Sequence, residues 1–123
     1  MIRGKKMITL VVCILLMSLL IPLQAFADTT VQSASNGSHT FKDNWTKTIQ
    51  RTYRNSKCVL TYGYNRTAIN EDMAYAYTDG AKHRSRIKNG NGWSNGPWKY
   101  ANIWSDLEVR HKGSTVKYYH VWN

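Results

Sequence analysis

Hydrophobic and polar positions alternate with a period of two along most of this chain, and that period belongs to β-strands. From Trp45 to Arg54, the set Trp45, Lys47, Ile49, Arg51 and Tyr53 shares one face, and Thr46, Thr48, Gln50 and Thr52 share the other. Thr, Ile, Tyr and Trp favour pleated backbone, so this stretch predicts a strand. Cys58 to Tyr64 predicts a second, interrupted by Gly63. Asn65 to Asp72 is polar and reads as a loop or a single helical turn. Met73 to Tyr77, where Ala alternates with Met and Tyr, predicts a third strand before the Asp79-Gly80 turn. Lys82 to Lys88 predicts a fourth, Asn89 to Pro97 a hairpin loop of the longer kind, and Trp98 to Trp104 a fifth strand.

Leu107 to Lys112 and Thr115 to Trp122 read as a closing hairpin around Gly113-Ser114, which suits a type II′ turn. Its register would set Leu107, Val109, His111, Val116, Tyr118 and His120 on one face, and Arg110 against Lys117 on the other. Asp28 to Thr40 is rich in Thr, Ser, Gln, Asn and Gly, has little to bury, and reads as a flexible polar leader. Short strands with a turn signal every 8–12 residues imply an all-β sandwich or small barrel. The expected fold is a small antiparallel β-sandwich of six to seven short strands over residues 41–123.

Ahead of the alternating region the pattern is different in kind. Arg3, Lys5 and Lys6 precede an apolar run from Met7 to Leu23, and Ala25-Phe26-Ala27 is a small-x-small cleavage site. Residues 1–27 therefore read as a secretory signal peptide, cleaved between Ala27 and Asp28, and the chain is expected to be secreted. The apolar run is short for a membrane span, which takes about 20 residues. The 96 residues that follow suffice for one small domain. Of the 17 Lys and Arg, three lie in the signal, leaving 14 against seven acids, a net +7. All five Trp and eight Tyr fall after the signal, so aromatic side chains must supply much of the core.

Charge then singles out one strand. Lys82, Arg84, Arg86 and Lys88 recur at a spacing of two, so they share a face about 7 Å apart. Such a row either keeps an aromatic-rich sheet soluble or binds an anion. Arg84 and Arg86 offer bidentate donors to phosphate or carboxylate, and Arg110 and Lys117 add a second cationic face in the expected hairpin. Trp93 lies in a Gly/Asn-rich loop and Trp98 follows Pro97, so these two are the Trp expected near a ligand or headgroup region. The candidate anion-binding set is therefore Lys82, Arg84, Arg86, Lys88, Arg110, Lys117, Trp93 and Trp98.

Catalytic patterns are weak. His39, His83, His111 and His120 show no zinc spacing, and no phosphate loop, serine elbow or zinc helix motif is present. Glu71 or Glu108 beside a His would make a ribonuclease-like pair, but no local spacing links them. The chain is read as a non-enzyme with no metal or other cofactor and no nucleic-acid partner. Cys58, the lone cysteine beyond the signal, reads as a small buried hydrophobe, with an intermolecular disulfide as the rival reading.

Tyr62-Gly63-Tyr64, Ala74-Tyr75-Ala76-Tyr77, Gly80-Ala81-Lys82-His83-Arg84-Ser85 and Tyr118-Tyr119-His120-Val121-Trp122 resemble segments of the lactococcin 972 family of bacteriocins. Tyr100-Ala101-Asn102-Ile103-Trp104 stands where that family carries a Trp-Ala strand. The resemblance spans Tyr62 to Asn123, with Lys82 and His83 adjacent where the prototype has a residue between them. It implies a small β-sandwich and an exported antimicrobial that blocks septum formation by binding lipid II, a pyrophosphate-linked cell-wall precursor. It further implies Arg84, Arg86 and Lys88 at the pyrophosphate, and Trp98 or Trp93 near the headgroup plane of the bacterial membrane. An immunity protein and an ABC transporter would be the companions. The alternative is a secreted, non-enzymatic module that binds an anionic wall polymer or a protein partner.

Overall fold

A computed structural model describes residues 28–123. The expected signal, and Ala27 on one side of its cleavage site, lie outside the described residues. Eight strands form two four-stranded antiparallel sheets. In chain order they are β1 (Thr29–Ser35), β2 (Trp45–Tyr53), β3 (Ser56–Asn65), β4 (Glu71–Thr78), β5 (His83–Asn89), β6 (Gly92–Asn95), β7 (Ser105–Arg110) and β8 (Lys117–Trp122). One sheet runs β1-β8-β5-β6 and the other β2-β3-β4-β7. The all-β sandwich follows as expected, with eight strands rather than six or seven.

The core explains the layering. Leu60, Tyr62, Ala74 and Ala76 of one sheet face Ile87, Val116 and Tyr118 of the other, all buried. The Tyr62 and Tyr118 rings lie 4.9 Å apart, and the Trp45 ring meets both edge-on. This aromatic mass sits over Ala74 and Ala76, so β4 turns its small residues inward and leaves Met73, Tyr75 and Tyr77 half-exposed. Tyr118 Oη donates to the Gly63 carbonyl at 3.2 Å. A Cβ at Gly63 would overlap the Trp45 carbonyl of the neighbouring strand, so glycine is required there. A smaller cluster of Val31, Cys58 and Trp122 fills the other end, with the Tyr53 ring 5.0 Å from that of Trp122.

Three expectations need correction. Asp28 to Thr40 is not a flexible leader: it contains β1, which pairs with β8 from Thr29↔Trp122 to Ser35↔Lys117. Its composition hides two buried polar residues with long-range partners. Gln32 Oε1 accepts from His120 Nδ1 (3.1 Å), and Asn36 Oδ1 accepts from the Val116 amide (3.0 Å). The sandwich thus begins at Thr29, ahead of the expected boundary at residue 41.

Trp98 to Trp104 is not a strand. Lys99 makes an isolated bridge to His83, and then the chain turns through Asn102, whose φ is 69°. Four short residues make β6 instead, from within the expected loop, and it pairs with β5 across a tight turn at Gly90-Asn91.

The closing hairpin does not form. β7 pairs with β4, and β8 lies between β1 and β5 in the other sheet. The reason is burial. Val116, Tyr118, His120, Val121 and Trp122 are all buried, so β8 is a central strand needing partners on both edges, which β1 and β5 supply. β7 exposes Asp106, Glu108 and Arg110 and serves as an edge strand. The predicted opposition of Arg110 and Lys117 is lost with the hairpin.

Candidate functional site

The outward face of the β5 sheet carries the cationic row. Along β5, His83, Ser85, Ile87 and Asn89 point inward and are buried, which turns Arg84, Arg86 and Lys88 outward. β8 lies alongside with Lys117 directly opposite Lys88 and Tyr119 opposite Arg86. β6 lies on the other side with Trp93 opposite Lys88. Charge and aromatic surface therefore interleave across three strands. The Arg86 guanidinium carbon sits 4.3 Å from the Trp93 ring centre, and Lys88 Nζ sits 5.2 Å from it. The Trp93 and Tyr119 rings are 5.2 Å apart. Arg84 lies 4.3 Å over Trp98. Cation–π contacts of this kind are worth about 0.5–1 kcal/mol at exposed sites and hold the guanidinium groups in place.

Compensation by acids is sparse. Arg84 Nη2 pairs with Asp28 Oδ2 at 3.1 Å. Among the described residues, Arg86, Lys88 and Lys117 have no carboxylate within ion-pair distance. Directly opposed lysines oppose folding by about 0.2–1 kcal/mol, so the Lys88–Lys117 pair is not there for stability.

A cleft of about 320 Å³ opens at this pair, lined by Lys88, Asn89, Gly90, Gly113, Ser114, Thr115 and Lys117. The Gly90 amide donates to the Lys112 carbonyl at 2.7 Å, tying the β5–β6 turn to the segment before β8. Gly113 carries a φ of 94°, a left-handed conformation that glycine adopts without strain. Two lysines and two hydroxyl-bearing residues, Ser114 and Thr115, thus line one cleft. A second cleft of about 310 Å³, lined by Ser33, Ala34, Ser35, Lys117 and Tyr119, flanks Lys117 on its other side.

Of the candidate residues, Arg84, Arg86, Lys88, Lys117, Trp93 and Trp98 come together on this face. Two do not. Lys82 precedes β5 and sits 5.7 Å from the Tyr100 ring instead. Arg110 ends β7 in the other sheet and lines a separate cleft with Ala68, Ile69, Asn70 and His111. Tyr119, Ser114 and Thr115 belong to the site but were not singled out from the sequence. Tyr119 was legible in principle, since it alternates with the buried Tyr118 and His120; the cleft residues were not, because they meet β5 only through the sheet order.

The histidines and acids are otherwise engaged. His83 and His120 are buried with ring centres 5.4 Å apart, and burial together with His83 pushes His120 down to about 3. The histidine–carboxylate pair that does form is His111 Nδ1 with Asp72 Oδ1 at 2.8 Å, not one with Glu71 or Glu108. Asp72 is fully buried and also accepts from Asn89 Nδ2 at 2.9 Å, so it joins β4 to β5 across the sandwich. Burial raises its pKa against the lowering effect of Asn89 and His111. Glu108 accepts from the Tyr75 hydroxyl at the outer edge of the other sheet. Among the described residues no group of three His, Cys, Asp or Glu is placed to hold a metal ion. Cys58 is buried, with Sγ 3.7 Å from Thr78 Oγ1, and burial raises its thiol pKa, as a packed hydrophobe would show. Comparison with protein-family models, with curated proteins and with solved structures returns no match.

Proposed function

We propose that this chain is an exported, non-enzymatic, lactococcin 972-like protein that binds the pyrophosphate of a lipid II-like cell-wall precursor and thereby blocks septum formation. One observation carries the reading: Arg86, Lys88 and Lys117 share a face, uncompensated by acids, with Trp93 and Tyr119 packed among them and a cleft opening beside Lys88 and Lys117. A pyrophosphate needs several charge-assisted donors within a few ångströms, and a lipid-linked one also offers apolar surface beside the charge. Arg84 contributes at the far end of the row once its Asp28 partner is displaced.

The same row, about 13 Å from Arg84 to Lys88 at strand rise, also suits an anionic wall polymer with repeating phosphates. One experiment separates the two. Binding of lipid II, inorganic pyrophosphate and teichoic acid is measured for the wild type and for R86S/K88S/K117S, beside growth and septation of Gram-positive cells. The proposed reading expects lipid II binding and septal arrest that the triple variant loses. Binding to teichoic acid alone supports the polymer. Absence of both lipid II binding and any effect on growth removes the proposal.

A further inference from the structure

The loop between β6 and β7 presents three of the five large exposed hydrophobic side chains among the described residues, the others being Ile69 and Trp93. Tyr100 is 72% exposed, Ile103 49% and Trp104 43%. Such side chains normally fold back when the chain allows it. Here the backbone holds them out. Asn102 takes a left-handed φ of 69°, and its amide donates to the Thr78 carbonyl at 2.8 Å. The Tyr77 hydroxyl donates to Asn102 Oδ1 at 3.2 Å, and the Tyr77 ring lies 5.2 Å from that of Trp104. The loop is therefore pinned to the end of β4 as a fixed apolar tip.

Its surroundings are cationic. Lys82 Nζ lies over the Tyr100 ring, and Lys99 precedes the turn. The β2–β3 turn falls at the same end of the sandwich, because Tyr53 pairs with Ser56 and Cys58 with Thr78, and it adds exposed Arg54 and Lys57. Four cations, Lys82, Lys99, Arg54 and Lys57, outnumber the acids near the tip, where Asp79 and Asp106 are exposed. Asp79 Oδ1 accepts from the Lys57 amide at 2.9 Å, Asp28 pairs with Arg84, and Asp106 lies in register beside Tyr75 within the sheet.

We propose that this loop is a membrane-interfacial anchor: Tyr100, Ile103 and Trp104 enter the headgroup–acyl boundary of a bilayer containing anionic lipid, with Lys82, Lys99, Arg54 and Lys57 against the headgroup phosphates. Trp and Tyr suit that boundary because each has an apolar body and a polar tip. Side chains inserted there reach about 5–10 Å deep, within the reach of one turn. A protein partner fits less well, since stable protein interfaces use about 20–30 residues a side and this tip offers three. The register places the tip at the Arg84 end of the cationic face, through the His83↔Lys99 bridge and the Arg84–Trp98 contact. A bilayer-bound molecule would then stand that face upright at the headgroup layer.

This proposal uses different residues from the pyrophosphate reading and is tested apart from it. Vesicles of phosphatidylcholine, with and without phosphatidylglycerol and free of lipid II, are floated with the wild type, with I103S/W104S and with K82E/K99E. The wild type should float with phosphatidylglycerol vesicles and far less with phosphatidylcholine alone. I103S/W104S should weaken that binding by at least about tenfold, the loss expected when two apolar side chains no longer leave water. K82E/K99E should weaken it while keeping the apolar tip. Both variants should retain the circular dichroism spectrum and pyrophosphate binding of the wild type. Equal flotation of wild type and I103S/W104S overturns the proposal, as does wild-type binding indifferent to phosphatidylglycerol. Failure to float combined with a dimer that I103S/W104S dissolves also overturns it, in favour of contact between copies. Failure of pyrophosphate binding alone leaves the anchor standing.

Discussion

Replacing Lys117 with Gln should make the protein more stable and a worse anion binder at once. Lys117 stands directly opposite Lys88, and neither has an acidic partner among the described residues. Opposed Cβ atoms lie about 5 Å apart, and splaying the side chains takes the ammonium groups to roughly 7 Å. Coulomb repulsion at that distance in water is about 0.6 kcal/mol, inside the 0.2–1 kcal/mol range for opposed like charges. For a domain of this size, that corresponds to a rise in Tm of about 2–5 °C. The gain should shrink in molar salt, where the Debye length falls to about 3 Å. Affinity should move the other way, because a hydrogen bond to a charged group contributes about 1.5–3 kcal/mol, or tenfold and more in Kd. The assays are thermal unfolding at low and molar salt and calorimetric titration with pyrophosphate. A lower Tm for K117Q, a gain indifferent to salt, or an unchanged pyrophosphate affinity would refute the reasoning, since each contradicts a strained cation pair kept for its ligand.

Four further outcomes follow from the interior. Because His120 is held down to about 3, the unfolded chain binds the extra proton between about pH 6.5 and pH 3; stability should be full above that window and decline through it as pH falls, by at most about 1.4 kcal/mol per unit. Asp72, raised by burial, acts with the opposite sign just above the ordinary carboxylate range but is common to both proteins, so in denaturant titrations the gap between H120Q and wild type should widen steadily as pH falls from about 6.5 toward 3. D72A removes the acceptor shared by His111 and Asn89 and should lower unfolding free energy by about 3 kcal/mol, measured by urea denaturation; a loss under 1 kcal/mol would mean that water serves these donors equally well. G63A forces a Cβ into the Trp45 carbonyl and should cost about 1–3 kcal/mol, with the β2 amides losing hydrogen-exchange protection first. Cys58 should react with a thiol reagent only as fast as the chain unfolds; rapid labelling of the native protein would contradict its burial.

The period-two alternation from Trp45 to Lys88 was enough to place β2, β3, β4 and β5, because alternation reflects one face of a strand meeting a core, which is a local property. It also placed Arg84, Arg86 and Lys88 on one face, but it counted Lys82 in the same row, and that residue precedes β5. Composition misled at Asp28 to Thr40, where Gln32 and Asn36 are polar yet buried because their partners, His120 and Val116, lie 80 or more residues away. Turn chemistry misled at Gly113-Ser114: a hairpin signal is local, but whether two strands pair depends on which other edges are free, and β1 and β5 had already claimed both edges of β8. Lys117 therefore joined the cationic face through Lys88 rather than Arg110. So the sequence by itself determined an all-β chain with one cationic strand face, since side-chain period and charge need no partner to be read. Only the tertiary structure decided that Lys88 meets Lys117 over a cleft and that Tyr100, Ile103 and Trp104 share one exposed tip, because sheet order and loop anchoring are set by contacts distant in the chain.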